Sequence, residues 1–450
     1  MNDPLKAPLN VPLNAPLGAP LNDASTDPPT DFPSTDFPNT DSPNTDPPTD
    51  ALAECRAALA AAMDAGGWWP RRSTWTRQAM QELPRHLFAP DLVLHWDGRR
   101  YTAVDRRTDP RGWAELVHAG PGEAAVTQLA EGRPSSSLSC PAVVADMLDA
   151  LMLEPGHRVL ELGAGTGWNA ALLAWRAGAG QVVSVEVDPG LAVAARGRLA
   201  AVRAEAAVVV GDGTAGCPAR APYDRVVCTY AVETVPWSWV AQTRPGGRIV
   251  TPWGRLGHVA LTVSADGRSA TGWVQGLATF MPARGTSPGR LLHQVHGDRP
   301  PRSRRRLERD PRPLHTDGNL LFALRVALPD VQVTTQDGDE DGLTVWLHDG
   351  DASWSRLRAP RTGPATVEQG GPHRLADALE DAWDQWLTDG APTLYDFGMT
   401  VTEHSQYVWC RNADTGPRWP LPPQRAAADP RPVPSSAPSP SSPSSPPSSP

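Results

Sequence analysis

The sequence predicts an α/β fold wound around an open, mostly parallel sheet. Three observations carry that prediction. Between residues 157 and 252, short apolar runs alternate with helical patterns. The first run, Val159-Leu160-Glu161-Leu162, leads into Gly163-Ala164-Gly165-Thr166-Gly167, with glycine at every second position. A second run, Val182 to Glu186, closes on an acid nineteen residues past Gly167. A buried strand, a tight glycine turn and a helix start are where such sheets bind a nucleotide-like cofactor. An acid at about that spacing suits a ribose diol.

Each element follows from local pattern. Residues 51–63 and 74–83 read as helices, and Pro84 stops the second. Residues 91–126 are mixed, with room for a short hairpin. A helix is expected from Cys140 to Leu153, with Val143, Val144, Met147, Leu148 and Leu151 as its apolar stripe and Ser139 as its cap. Strands are expected near 158–162, 181–186, 206–211, 224–229 and 247–252. Their continuous apolar character fits a parallel sheet covered on both faces. Helices fall near 168–177, 189–202 and 235–243, and Pro245-Gly246-Gly247 turns into the last parallel strand. Val259 to Val263 and Thr271 to Thr279 then read as antiparallel strands, and residues 283–312 as a long loop. Further strands, Leu343 to Leu347 and Met399 to Trp409, flank a helix whose Leu375, Ala378, Leu379, Ala382, Trp383, Trp386 and Leu387 share one face. Residues 256–422 thus form an α+β C-terminal module behind a domain spanning 51–255.

Composition narrows the function. Residues 1–50 are built from Pro-Leu-Asn and Thr-Asp-Xaa-Pro units, and 423–450 are rich in Pro and Ser; both ends are expected to be disordered. The formal net charge of −9 is mostly a tail effect, since residues 1–50 hold eight Asp and one Lys. A near-neutral body argues against nucleic acid. The cluster Arg302, Arg304, Arg305, Arg306 reads as a solvated loop, with an acidic peptide as its alternative partner. The five cysteines form no Cys-x-x-Cys pair, so neither a metal site nor a disulfide framework is expected. No apolar run reaches spanning length and no signal segment is evident. The expectation is a soluble, cytoplasmic protein that engages no membrane.

Three cofactors compete for the glycine turn. A dinucleotide prefers Gly-x-Gly-x-x-Gly, and here the third glycine comes one residue early. An ATP loop needs Lys-Ser or Lys-Thr, which is absent. S-adenosylmethionine carries no phosphate and needs only close backbone approach, which Gly163, Gly165 and Gly167 permit. Glu186 suits the ribose hydroxyls, and Asp212, before Gly213, the adenine amino group. Each of Glu161, Glu186 and Asp212 has a bland reading as a helix cap or surface charge. Their joint placement at strand ends favours the cofactor.

From 74 to 255 the chain resembles the protein-L-isoaspartate O-methyltransferases. Leu83-Pro84-Arg85-His86-Leu87-Phe88-Ala89-Pro90 looks like the family's Pro-Arg-x-x-Phe-Val-Pro segment, and Ser137-Leu138-Ser139-Cys140-Pro141 like its Thr-Ile-Ser-x-Pro segment. Val159 to Ala174, Gly211-Asp212-Gly213, Tyr223 to Val227 and Arg244 to Arg248 follow in family order. The resemblance implies a class I S-adenosylmethionine-dependent methyltransferase, Rossmann-like in fold. It implies that Ser139, with Ser137 beside it, meets the reacting carboxylate. Thr229 matches a residue at the site's mouth, with a strand-end hydroxyl on backbone as its bland alternative. His86 reads as a structural or rim residue rather than a base. A carboxylate is ionised at neutral pH, so methyl transfer needs no general base. The methyl ester then collapses to a succinimide.

Two regions depart from the compact family: 256–422 and the enlarged 91–126. Phe280-Met281-Pro282-Ala283-Arg284, Gln369-Gly370-Gly371-Pro372 and Phe397 to Thr402 are similar to an extended subgroup that accompanies peptide-modifying enzymes in bacterial ribosomal peptide pathways (ATP-grasp or lanthipeptide maturation). Three readings therefore stand. One is methylation of L-isoaspartyl carboxylates in proteins generally. A second is methylation of a chosen Asp in one modified peptide, forming an aspartimide, with a peptide-modifying enzyme as partner. The third is a binding module without turnover.

Overall fold

A computed structural model describes residues 49–422, apart from 99, 131, 255, 287, 288, 298 and 339–341. The tails expected to be disordered otherwise lie outside the described residues. The chain opens with α1 (Thr49–Ala65) and α2 (Trp75–Glu82). An arginine-led 3-10 turn at Arg85–Phe88 follows Pro84. Next come β1 (Leu92–Trp96), β2 (Tyr101–Asp105), α3 (Pro110–Val117), β3 (Ala125–Ala130) and β4 (Arg133–Leu138). These strands form an antiparallel sheet in the order β2-β1-β3-β4. Asp109 caps α3 by accepting from the Gly112 amide at 2.8 Å.

Helix α4 (Pro141–Leu151) is buried on every side. Its cap differs from expectation. Cys140, not Ser139, holds the capping position, and no side chain bonds there. Pro141 has no N–H to satisfy, which lowers the need for a capping hydroxyl. Asp146 and Asp149 survive burial through His258, 3.2 Å away, and Arg72, 2.7 Å away.

The expected parallel half is present as β5 (Val159–Leu162), α5 (Trp168–Ala177), β6 (Val182–Glu186), α6 (Pro189–Ala201), β7 (Ala206–Val210), β8 (Tyr223–Cys228), α7 (Trp237–Ala241) and β9 (Thr243–Trp253). The order β7-β6-β5-β8-β9 is parallel throughout. The chain winds outward from β5 to β7 on one side and from β8 to β9 on the other, so the crevice lies at the carboxyl ends of β5 and β8. Pro245-Gly246-Gly247 lies inside β9 rather than ahead of it, at a register shift against β8.

The boundary expected at 255/256 falls between hydrogen-bonded neighbours. β10 (Gly257–Val263) pairs antiparallel with β9, and β11 (Ser269–Gly276) with β10. The loop expected at 283–312 contains α8 (Leu292–His296) and β12 (Ser303–Arg306). After α9 (Pro313–Thr316) and α10 (Gly318–Ala327) come β13 (Gln332–Gly338), β14 (Gly342–His348), β15 (Trp354–Ala359), β16 (Thr366–Gly370) and α11 (Leu375–Thr388). Strands β12-β16-β15-β14-β13 make a separate antiparallel sheet. β17 (Phe397–Thr402), β18 (Gln406–Cys410) and β19 (Arg418–Pro420) then return to the main sheet beside β11, completing ten strands.

Helices α10 and α11 lie between the two sheets. Phe322, Ala323, Val326 and Trp386 pack toward the main sheet. Leu320, Leu324, Leu375, Leu379 and Trp383 pack on the second. The arginine cluster runs into a strand, β12, rather than a loop, and Arg302, Arg304 and Arg306 stay exposed. Arg305 turns inward to Asp377 and Glu380 of α11, while Arg304 pairs with Glu368 of β16.

Candidate active site

A cavity of about 370 Å³ opens at the carboxyl ends of β5, β6 and β8. Its floor is the glycine turn. Gly163, Gly165 and Gly167 have φ of +94°, +51° and +89°, a region that side chains disfavour. A Cβ on Gly163 would meet the Thr229 hydroxyl at 2.5 Å, and one on Gly213 the Tyr230 hydroxyl at 2.3 Å. The backbone is therefore bare where a ligand needs close approach.

Of the residues expected in the site, Ser137, Ser139, Gly163, Gly165, Glu186, Asp212, Gly213 and Thr229 line this cavity together. Gly167 stands behind, where a Cβ would press on Ala195 of α6 at 3.4 Å. Glu161 also stands behind the turn, fully buried, accepting from Ser184 and from the Asn169 amide. Burial pushes its carboxyl up to about 7. The bonds from Ser184 and Asn169 pull it back in part, and nearby Glu186 adds to the rise.

Glu186 is 5% exposed and faces the turn. One oxygen accepts from the Gly165 amide at 2.9 Å and the other from the Asp188 amide at 3.0 Å. Each carboxylate oxygen has a second lone pair for another donor. Asp212 is exposed at the rim, where it accepts from the Thr214 amide at 2.8 Å and hydroxyl at 2.7 Å. Thr229 donates to the carbonyls of Gly163 at 2.7 Å and Leu162 at 3.1 Å. Its proton holds the turn, as the bland reading anticipated.

The opposite wall is the serine strand. Ser135, Ser136, Ser137 and Ser139 all line the cavity. The Ser137 and Ser139 hydroxyls bond to no other described residue. Their backbone is clamped from below. Arg85, 2% exposed, donates to the carbonyls of Glu123 at 3.2 Å and of Leu138 and Ser139 at 3.0 Å each. Burial lowers its guanidinium to about 10, still charged at neutral pH. His86 is buried against His118, with ring centroids 5.6 Å apart, and does not line the cavity. Burial, with Arg85 and His86 adjacent, drives His118 down to about 3, so it is neutral.

Among the lining residues, Trp96, Tyr101 and Tyr230 carry no sequence signal of a site, whereas 280–284 stands out only through its similarity to the extended subgroup. Trp96 and Tyr101, facing each other across the β1–β2 hairpin, form an aromatic wall. Tyr230 wedges between Gly163 and Gly213. The segment Thr279 to Arg284 forms a roof, held where Ala231 donates to Met281 at 2.8 Å and Ala283 donates back to Ala231 at 3.1 Å. Arg284 latches that roof to Asp188 at 2.8 Å and to Gln128. No local pattern signals such a latch, since its partners are far apart in sequence.

The chain is similar to proteins of one family. A family model described as protein-L-isoaspartate(D-aspartate) O-methyltransferase matches residues 123–277. The protein-L-isoaspartate O-methyltransferase of Methylorubrum extorquens is 38% identical over 183 residues, covering 41% of this chain and 68% of that protein. Protein-L-isoaspartate O-methyltransferase 1 of Archaeoglobus fulgidus is 33% identical over 218 residues, 48% of this chain and 88% of that protein. A solved protein-L-isoaspartate O-methyltransferase aligns with a TM-score of 0.42 at 21% identity, over 79% of this chain and all of that one.

Proposed function

The chain belongs to the protein-L-isoaspartate O-methyltransferase family, and on that premise we propose that it methylates L-isoaspartyl carboxylates of a peptide or protein from S-adenosylmethionine. The observation that carries the reading is a single cavity with the glycine turn and Glu186 on one wall and two uncommitted serine hydroxyls on the other.

S-adenosylmethionine, when bound, supplies a methyl group activated on a sulfonium. Gly163, Gly165 and Gly213 would give its backbone contacts, and a Cβ at 163 or 213 would push Thr229 or Tyr230, which line the same cavity, out of place. Glu186 would accept from the ribose hydroxyls with its remaining lone pairs, and Asp212 from the adenine amino group. Gly167 and Glu161 support the turn from behind, and Thr229 fixes its carbonyls. Ser137 and Ser139 would donate to the substrate carboxylate and aim one oxygen at the methyl carbon. No residue need take a proton, because the nucleophile is already an anion. The roof at 279–284 and the aromatic wall exclude water from that approach.

The roof favours the narrower of the two enzyme readings, a dedicated Asp or isoaspartyl peptide. It lies just past residues 123–277, which the family model matches, and it covers the cavity that holds both serines. The test is incubation with S-adenosylmethionine and matched linear peptides bearing isoaspartate or aspartate, read by mass. A gain of one methyl on isoaspartate supports the general activity. No gain on linear peptides, with methylation of a constrained Asp peptide, supports the narrower one. Failure to bind S-adenosylmethionine removes both and leaves a binding module. Among the described residues, no helix is long and apolar enough to cross a membrane.

A further inference from the structure

The second sheet has one face packed on α10 and α11; α8 covers one end of the other face, where Trp354 and His348 are buried, and the rest is turned outward. Two rows cross that outer face. Arg304, Glu368, Arg356, Trp346 and Thr334 stand opposite one another in turn. Arg306, Thr366, Arg358, Thr344 and Gln336 form the next row. Four arginines thus mark the corners of a rectangle about 7 Å along the strands and about 10 Å across them. Two acids sit among them in the described residues: Glu368, shared by Arg304 and Arg356, and the exposed Glu308, 3.8 Å from Arg306; Arg358 has neither. The side chains of Arg304 and Arg306 are 70% and 68% exposed, and Arg358 is exposed. Clustered like charges repel unless a counter-charge covers them.

We propose that this face docks an acidic, extended segment of the peptide substrate. An extended chain places every second side chain on one side at about 7 Å intervals, matching the Arg304–Arg306 and Arg356–Arg358 spacing. Acids at alternate positions complete the charge pattern. The chain's own N-terminal acids recur mostly at every fourth or fifth residue, as in Asp31, Asp36, Asp41 and Asp46, and do not match it. The face is also near the cavity. Arg290 donates to the Gly350 carbonyl at 2.9 Å, where β14 turns into β15, and His296 of α8 packs on Trp354 and Trp346. Arg284, at the cavity roof, is only five residues before Gly289. That interval spans at most about 18 Å, and Arg356 lies up to about 20 Å beyond the turn, so a peptide of roughly a dozen extended residues reaches both places. The inference rests on the proposed methyl transfer only for the identity of the docked segment as substrate.

The test uses the full chain and a fluorescein-labelled peptide of about ten residues with aspartate at alternate positions. Anisotropy is read against the same peptide with asparagine, and against R306E/R358E. Expected are binding that weakens as salt rises, and a loss of about tenfold or more with either the asparagine peptide or the double variant. Unchanged S-adenosylmethionine affinity shows that the variant is folded. Equal binding by the double variant overturns the proposal. So does tighter binding of a single-stranded oligonucleotide to the same arginines. A tenfold gain on removing residues 1–48 overturns it too, by making the chain's own tail the occupant. In turnover, fusing the acidic segment to an isoaspartyl peptide should lower KM about tenfold at constant kcat, and the double variant should erase the gain. Turnover with KM unmoved sinks the docking and leaves the methyl transfer standing.

Discussion

The two walls of the cavity use their polar atoms in opposite ways. On the glycine-turn wall they are spoken for: Glu186 holds the Gly165 and Asp188 amides, Thr229 the Gly163 carbonyl, and Glu161 stands locked behind. On the serine wall the backbone is clamped by Arg85, but the Ser137 and Ser139 hydroxyls are uncommitted. A wall that must receive the same ligand each time is set in advance, which saves the cost of ordering it on binding. A wall that must meet an incoming anion keeps free donors.

That contrast breaks first at Gly163. Alanine there faces both a φ of +94° and the Thr229 hydroxyl at 2.5 Å. The expected result is a loss of S-adenosylmethionine affinity of about a hundredfold or more, read by calorimetry. Glu186→Ala follows, with a loss of roughly ten- to a hundredfold, the range for hydrogen bonds to a charged group. Unchanged affinity would contradict the ribose assignment. Ser139→Ala should leave cofactor affinity intact and cut kcat about tenfold; a change in cofactor affinity instead would erase the distinction between walls.

A separate effect falls on stability rather than on binding or turnover. The Glu161 carboxyl titrates near 7 when folded, above the usual 4.5. The folded state therefore holds the extra proton between those values, and stability falls as pH rises from about 4.5 to about 7. Glu161→Gln should flatten that slope. Parallel melting curves for the two proteins across this window would show the reverse.

Where a signal was local, the sequence carried it. β5, α5 and β6 fall within a residue of expectation because buried apolar runs and a glycine turn are read from neighbours alone. Gly163, Gly165, Glu186, Asp212 and Gly213 followed from strand ends of one parallel sheet, while Ser137, Ser139 and Thr229 were implied by the family resemblance. Long-range partners were invisible. Nothing near Arg305 announces Asp377 and Glu380, and nothing near Gln128 announces Arg284. Ser139 was misplaced as a cap because Pro141 makes the capping hydroxyl dispensable. The return of β17 to β11 has no local pattern at all.

That return has a cost in time. β11 ends at Gly276, and its partner β17 begins at Phe397. At roughly 5–20 residues per second of synthesis, the bare edge of β11 waits on the order of ten seconds for its partner. An edge left open that long invites pairing with a neighbouring nascent chain. Slowing translation between those strands should therefore raise aggregation more than slowing it elsewhere.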